Sequence, residues 1–465
     1  MKELQESEPG VTGVKENKMG TMPENKLILT MSIPIVISML VQALYNIVDS
    51  IFVAQINENA LTAVSLAFPV QNLMIAVATG TGVGINALLS KSLGERKQDT
   101  VNRSANIGIT LAMCSYVIFA AIGIFFSGAF YEIQTNVDEI VTYGKSYMSV
   151  VTICSFGLFL QVTCERLLQG TGKTLFSMIT QCCGAVINLI LDPILIFGYF
   201  GMPKMGVAGA AIATVIGQIV AGILAYILNV KVNKEIHFAV KYMRPKASII
   251  AKIYEVGVPS IIMASIASVL TFGMNKILIG FSTTATAVFG VYFKLNSFLF
   301  MPVFGLNNGL IPILGYNYGA RKPARIKKTI RLGMTYAVSI MLVGFIVFQI
   351  IPDKLLLLFN ASADMQKIGD PALRIIAYSF IFAGFNIVCS TVFQAIGNPV
   401  HSLLMSVTRQ LVVILPVAYL LSLTGNIDLI WLSFPIAEVV AMLMSLFFIR
   451  RTMRKIEVLE EEVQA

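Results

Sequence analysis

The sequence carries very little charge for its length. Only 13% of its 465 residues are Asp, Glu, Lys or Arg, whereas 56% are hydrophobic. An average soluble domain has about 25% charged residues. Because a bilayer core accepts apolar side chains that water does not, this balance excludes an ordinary soluble domain and indicates an integral membrane protein.

The chain is also poor in residues that build metal sites and catalytic centres. Its two histidines, His237 and His401, lack metal-like partners nearby in the sequence. All six cysteines lie in apolar runs, without the spacing of zinc ligands or of an extracellular disulfide framework. A membrane-embedded enzyme needs a nucleophile, a base or metal ligands clustered at span depth. We therefore expect neither enzymatic activity nor a bound cofactor.

Long uncharged runs are present instead, and about 20 apolar residues suffice to cross a bilayer. They predict an all-α membrane protein with twelve transmembrane helices, near residues 27–53, 61–90, 104–127, 141–169, 174–198, 206–229, 253–280, 286–315, 331–351, 373–396, 401–423 and 428–449. Two six-helix lobes would occupy residues 27–230 and 253–450, joined by a cytoplasmic linker at 231–252. Residues 1–26 are polar, and we expect a disordered tail without a cleavable signal peptide; residues 451–465 would form a second tail.

The basic residues indicate the orientation of the chain. Most of its 34 Lys and Arg residues lie in the two tails and in the loops after even-numbered spans. The loops after odd-numbered spans hold only Lys204, Lys354 and Lys367. The positive-inside rule then places both termini in the cytoplasm, in a multi-pass protein of the plasma membrane. The net charge of +9 is thus explained by topology, and no soluble basic domain for nucleic acid is predicted.

Short segments recur at a fixed distance of 225 residues. Ser32-Ile33-Pro34 corresponds to Gly257-Val258-Pro259, and Gly94-Glu95-Arg96-Lys97 to Gly319-Ala320-Arg321-Lys322. The distance covers six spans, so both halves enter the membrane in the same direction. Parallel repeats of this kind suit alternating access, in which two lobes rock around a central cavity.

Two carboxylates lie at span depth in the N-terminal half, Asp49 in span 1 and Asp192 in span 5. Asn188 is one helical turn before Asp192 and shares its face. Pro193 has no N–H, which frees the carbonyl oxygen of Leu189. Such oxygen ligands can hold a small cation or share a proton. Equally, Asp49 could lie near the headgroups and Asp192 could cap a kink.

The C-terminal half lacks this acidic pair, since Met274 stands at the position equivalent to Asp49. Its single span-depth carboxylate, Glu438, could pair with Lys294 as a structural ion pair or contact a substrate; we favour the structural role. Glu165 and Arg166, near the inner end of span 4, are interpreted as a pair whose charges reach the membrane surface.

Five segments resemble the multidrug and toxic compound extrusion (MATE) family, and the resemblance extends over residues 27–450. Within the family, the sequence is most similar in character to the staphylococcal MepA-like branch. The five segments are Tyr45–Asp49, Asn188–Gly198, Gly206–Thr214, Pro312–Ala320 and Arg409-Gln410. The resemblance implies two lobes arranged as a V and an antiporter that expels bulky, often cationic compounds in exchange for Na⁺ or H⁺.

The resemblance also implies a coupling site in the N-terminal lobe. Its ligands, which would hold Na⁺ if sodium is the coupling ion, are Asp49, Asn188, Asp192 and Thr214. A tyrosine of span 4 would lie nearby, either Tyr147 or Tyr143. Some family members have an acidic residue in span 7; this sequence has none there.

The substrate side is less defined by sequence. The 22 Met and 29 Phe residues suit promiscuous binding of aromatic cations, although most must serve packing and lipid contact. Pseudo-symmetry selects candidate cavity residues on spans 2 and 8: Phe68, Gln71, Asn72, Tyr292, Asn296 and Phe300. We expect a monomer that exports small organic compounds. The alternative function is a flippase for lipid-linked saccharides, which would favour an Arg- and Lys-rich cavity rather than buried acids.

Overall fold

The computed structural model describes residues 16–359 and 361–464, and throughout this part the regular structure is helical. A short helix precedes the N-terminal lobe, whose helices follow in chain order. They are α1 (Lys18–Thr21), α2 (Glu24–Ala54), α3 (Glu58–Gly94), α4 (Gln98–Gln134), α5 (Asp138–Ile153), α6 (Phe156–Gly170), α7 (Thr174–Phe197) and α8 (Val207–Val232).

A short linker helix, α9 (Val240–Met243), leads to the C-terminal lobe. That lobe contains α10 (Ala247–Leu278), α11 (Thr283–Gly319), α12 (Pro323–Ile350), α13 (Pro352–Leu357), α14 (Ala363–Ala377), α15 (Phe380–Ile396), α16 (Pro399–Val407), α17 (Leu415–Ser422), α18 (Ile427–Ile430) and α19 (Ser433–Gln464). A π-helical segment, Thr408–Ile414, joins α16 to α17.

Among the described residues, nine helices and the continuous helical stretch from α16 to α17 (Pro399–Ser422) are long and apolar enough to cross a membrane, and each lobe adds one bent pair. The axes of α5 and α6 differ by 45°, and those of α14 and α15 by 49°. When each pair counts as one span, the described residues contain the twelve predicted spans. The repeat also appears in the helix bounds, because α3 and α11 begin and end 225 residues apart.

The N-terminal segment differs from the prediction. Residues 1–15 lie outside the described part, but residues 16–26 form α1 and the start of α2, so the expectation of disorder is wrong for them. Met19 is fully buried, and Asn317 of α11 donates to its carbonyl oxygen at 3.0 Å. Asn17 donates to the Thr171 carbonyl at 3.0 Å and to Glu235 at 3.1 Å. The segment therefore contacts both lobes and the linker, contacts that its polar composition does not reveal.

The C-terminal segment also differs, because α19 continues without a break to Gln464. Residues 451–464 are thus a helical extension of the last span rather than a separate tail. Lys327, on the first turns of α12, forms an ion pair of 2.5 Å with Glu460 on this extension. The linker predicted at 231–252 overlaps the end of α8 and the start of α10.

The lobes pack together on the side that carries α1 and the extension of α19. There α3 approaches α10 so closely that a Cβ on Gly84 would be 2.1 Å from the Ile253 carbonyl oxygen. Contact extends to Asn72, which donates to Ser268 at 3.1 Å. Towards the opposite side the helices leave large apolar side chains exposed, 62% for Phe68, as expected for a V that is closed at its apex.

The Gly84 contact yields a test of this closure. Replacing Gly84 with Val should separate α3 from α10 and destabilise the closed arrangement by about 1–3 kcal/mol, as overpacking does. The yield of cross-linking between Asn72→Cys and Ser268→Cys, in a background without reactive native cysteines, would measure how often the two helices are in contact. Gly290→Val on α11 is the matched control, since a Cβ there has no atom within 4 Å. Equal cross-linking in the two glycine variants would contradict this packing.

Candidate cation site in the N-terminal lobe

Small residues bring α7 and α8 together beneath the candidate site. A Cβ on Gly184 of α7 would lie 3.0 Å from the Gly217 carbonyl oxygen of α8, and one on Gly217 would lie 2.7 Å from the Gly184 carbonyl oxygen. Such close approach is typical of packed membrane helices. It places Thr214, one turn before Gly217, against the face of α7 that carries Asn188.

Asn188 lies between the hydroxyl of Thr214 and the carboxylate of Asp192. Its amide nitrogen is 3.4 Å from Asp192 Oδ1 and 3.3 Å from Thr214 Oγ1. The amide orientation that satisfies both neighbours donates to Asp192 Oδ2 at 3.3 Å and accepts from the Thr214 backbone N–H at 3.1 Å. Both Asp192 and Asn188 are buried, at 0% and 2% exposure. The three side chains thus form one polar cluster inside an apolar lobe.

Asp49 approaches this cluster from α2, which packs directly on α7. Its Oδ1 atom is buried without a hydrogen-bond partner. Asp49 and Asp192 thus lie on two helices that are in direct contact, and Tyr45, one turn before Asp49, lines the cavity beside Asn188. Within the described residues, neither carboxylate forms an ion pair with a basic side chain. Two neighbouring acids without a fixed cation favour binding of a mobile cation or a shared proton.

A small cavity adjoins the cluster, with about 20 Å³ in which the centre of a water molecule fits. This is room for about one water or one small ion. Its walls are mostly polar or small: Tyr45, Gln161, Gln181, Gly184, Ala185, Asn188, Thr214, Gly217 and Gln218. Among the described residues, no three His, Cys, Asp or Glu side chains lie close enough together to hold a metal ion. Carboxylate, amide and hydroxyl oxygens are donors for a hard cation rather than for zinc or iron.

The two candidate tyrosines have different surroundings. Tyr147 is 3% exposed and accepts from Gln71 Nε2 at 3.1 Å. Tyr143, one turn earlier on α5, is only half-buried and packs at the edge of the lobe core. This placement favours Tyr147 as the tyrosine of the site, an assignment that spacing alone left open.

The interpretation of Glu165 and Arg166 as a membrane-surface pair is wrong. Glu165 accepts hydrogen bonds of 3.0 Å from both Gln161 and Thr180 inside the lobe. Arg166 turns the other way and donates to Asn308 of the C-terminal lobe at 2.8 Å. Because Gln161 also lines the cavity, Glu165 is a third N-lobe acid linked to it. The spacing of Gln161 and Glu165, one helical turn apart in an apolar run, was the signal for this pair.

The expected pairing of Lys294 with Glu438 is also wrong. Glu438 accepts from Arg409 Nη1 at 2.6 Å and from Asn386 Nδ2 at 2.7 Å. The Lys294 ammonium lies 5.9 Å from the ring centroid of Phe359. The sequence alone does not show which basic side chain of the C-terminal half pairs with Glu438, because the partner depends on how the helices pack.

The six candidate substrate residues divide by lobe. On α3, Phe68 is exposed, Gln71 bonds to Tyr147, and Asn72 bonds across the cleft. On α11, Tyr292 and Phe300 are buried in the core of the C-terminal lobe, where Phe300 packs edge-on against Phe380 at 5.7 Å. The Tyr292 hydroxyl donates to Asn296 at 3.4 Å. The geometry assigns Tyr292 and Phe300 to packing within the C-terminal lobe, whereas the lining role of the α3 residues stays a prediction.

Two repeated six-helix lobes, a cleft between them and a polar pocket buried in one lobe define a membrane transporter. The profile of the MatE family matches residues 34–194 and 259–420, one stretch in each lobe, and the chain belongs to that family.

Comparison with individual proteins agrees with this assignment. The multidrug export protein MepA of Staphylococcus haemolyticus is 27% identical over 94% of this chain and 97% of its own. An FAD transporter of Shewanella oneidensis is 25% identical over 90% and 92%. Among solved structures, an outward-facing multidrug resistance MATE family transporter of the MOP superfamily superposes with a TM-score of 0.88 at 25% identity, covering 96% of this chain and 99% of that one.

Thr214 allows a matched test of the pocket. Thr214→Val keeps the shape but removes one oxygen, so cation binding should weaken by about tenfold, the effect of one lost hydrogen-bond-strength ligand. Thr214→Ser retains the oxygen and should bind almost normally. The readout is the concentration of Na⁺, or of protons, that half-saturates the rise in melting temperature of the purified protein, with choline as the inert cation. Equal midpoints for the Val and Ser variants would exclude Thr214 as a ligand.

Proposed function

We propose that this transporter exports bulky organic cations in exchange for inward Na⁺ or H⁺. The observation that carries the proposal is the pair of Asp192, which is fully buried, and the half-buried Asp49, whose Oδ1 atom has no hydrogen-bond partner; among the described residues neither forms an ion pair with a basic side chain. The site needs no cofactor other than the coupling ion, and we propose that the protein acts as a monomer in the plasma membrane, with both termini in the cytoplasm.

Electrostatics supplies a reason for exchange. Placing the buried carboxylate of Asp192 and the half-buried carboxylate of Asp49 in a low-dielectric surrounding costs free energy, so some positive charge must accompany them. A small cation or a proton at Asp192 meets this need in one state of the cycle. A cationic substrate in the adjoining cleft, near Gln71 and Asn72, would meet part of it in another. Each then weakens the binding of the other, and this mutual exclusion is what antiport requires.

The arrangement of the lobes supplies a route. Among the described residues the lobes are in backbone contact where Gly84 of α3 meets Ile253 of α10, on the side that carries α1. If that side is cytoplasmic, this contact closes the cytoplasmic side, so that substrate leaves and a coupling cation enters from the other side. Rocking about the contact between α3 and α10 would open the other side.

The similar proteins support multidrug export as the substrate class, through the MepA relatives. The relative named as an FAD transporter makes a flavin dinucleotide a second substrate to test. Its negative phosphates would be repelled by an acidic lobe, so the buried acids favour the cationic class.

The experiment is transport in proteoliposomes with separately imposed sodium and proton gradients. We expect at least one gradient to drive efflux of an ethidium-like aromatic cation. Asp49→Asn and Asp192→Asn should each reduce the gradient-driven component by about tenfold or more, since the amide cannot hold the charge of a coupling ion. Asp99→Asn is the control, because Asp99 is 61% exposed and pairs only with Arg103 at the surface.

Gradient-driven efflux that persists in both acid variants would refute the coupling site. Uptake of FAD without movement of aromatic cations would redirect the substrate assignment. Movement of a labelled lipid-linked saccharide between leaflets would instead support the flippase alternative.

A further inference from the structure

We infer that the C-terminal lobe contains a counterpart of the cation pocket, and that the guanidinium group of Arg409 occupies it permanently. The existence of this internal-cation site rests on the geometry of the lobe. Its consequence, that ion exchange is confined to the N-terminal lobe, rests on the proposed function.

The register of the repeat locates the counterpart. The bounds of α7 shifted by 225 residues coincide with the stretch from α16 to α17, Pro399–Ser422, and α6 corresponds in the same way to α15. Two residues of the N-lobe pocket wall, Gln161 and Gly184, thus correspond to Asn386 and Arg409. Where the N-terminal lobe has a glycine and an adjoining cavity, the C-terminal lobe has a long cationic side chain.

The contacts of Arg409 are those of a bound cation. Its Nη1 atom donates to Glu438 Oε1 at 2.6 Å, and Asn386 donates to Glu438 Oε2 at 2.7 Å. Ser445 in turn donates to Asn386 Oδ1 at 2.9 Å. Glu438, Asn386 and Ser445 are all buried, at 7%, 4% and 0% exposure. Both carboxylate oxygens are therefore occupied, one by the guanidinium group and one by an amide.

The oxygen ligands of the N-terminal pocket have no equivalent in this lobe. The positions that correspond to Asp49, Asn188, Asp192 and Thr214 are apolar: Met274, Val413, Val417 and Val439. Around this pocket the described residues offer a second exchangeable cation the carboxylate of Glu438 as anionic ligand, and Arg409 already neutralises it. Charge compensation in the two lobes is thus achieved differently, by a mobile ion in one and by a side chain in the other.

The local backbone is adapted to this role. Arg409 lies in the π-helical segment Thr408–Ile414, whereas the corresponding part of α7 is regular α-helix. A π-helical turn changes the direction of the side chains that it carries and is frequent at functional sites. Pro416 just beyond it lacks the N–H that would bond to the Val412 carbonyl, which loosens the regular helical pattern.

The consequence concerns stoichiometry. The Arg409–Glu438 pair has the same net charge in every state of the cycle, so it neither takes up nor releases an ion. Only the N-terminal pocket then changes its charge, and one lobe suffices to couple transport to the gradient.

Chemical rescue tests the site without requiring transport. Arg409→Ala should leave a cavity facing the Glu438 carboxylate, into which free guanidinium fits. Millimolar guanidinium chloride, far below denaturing molar concentrations, should raise the melting temperature of the purified variant by about 3 °C or more relative to sodium chloride. The wild type and the double variant Arg409→Ala/Glu438→Gln should show no such rise. Arg374→Ala, which removes a partly exposed ion pair with Asp370 and a hydrogen bond to the Gln349 carbonyl, is the matched control.

A folded Arg409→Ala protein that guanidinium does not stabilise, or an equal rise in all variants, would overturn the internal-cation site. If Arg409→Ala does not fold, Arg409→Lys and the neutral pair Arg409→Gln/Glu438→Gln replace it. Both should retain at least about half of the gradient-driven efflux, which corresponds to a rise in activation free energy of well under 1 kcal/mol. Loss of coupling in the neutral pair, with normal folding, would show that the C-terminal lobe takes part in ion exchange and would refute the inference. A rescue by guanidinium in a protein that shows no antiport would uphold the site while refuting the proposed function.

Discussion

The polar contacts inside both lobes depend on one constraint, the free-energy cost of placing a carboxylate inside an apolar bundle of helices. Each lobe buries acid at span depth, and each must supply positive charge to it. The C-terminal lobe supplies the positive charge with one of its own side chains, Arg409, which forms an ion pair of 2.6 Å with Glu438. The N-terminal lobe supplies none within the described residues, and it holds a small cavity beside Asn188 and Thr214 instead. The two lobes therefore share a fold but differ in how the charge of their acids is compensated.

Close helix packing makes this asymmetry possible. Gly184 and Gly217 bring α7 and α8 within backbone contact, so the ligands of α7 and α8 converge without long side chains. Across the cleft, Gly84 lets α3 rest on the backbone of α10. The same device thus serves the pocket inside a lobe and the contact between lobes. Since small residues pack without interlocking, these contacts can also separate at little cost in rotamer strain.

Much of the fold was accessible from sequence, because membrane spans and repeats are one-dimensional signals. Uncharged runs predicted twelve spans, and the 225-residue register is visible in the bounds of α3 and α11. The face shared by Asn188 and Asp192 followed from helical spacing. The site prediction as a whole stays a prediction, although the geometry brings its four oxygen donors into one region and favours Tyr147 over Tyr143.

What sequence could not give was contact between distant segments. The partner of Glu438 depended on the crossing of α19 with a π-helical turn that no local pattern announced. Similarly, Asn17 is anchored by Thr171 and Glu235, which are far away in the chain. In both cases a polar residue was assigned to the nearest plausible environment, the surface or a charge on another span. Low sequence charge helps to explain why such errors matter: with so few ionisable groups at span depth, each pairing fixes the electrostatics of a whole lobe. Exchanging the partner of a single acid, from Lys294 to Arg409, changes the C-terminal lobe from a possible ion site into one that carries its own cation.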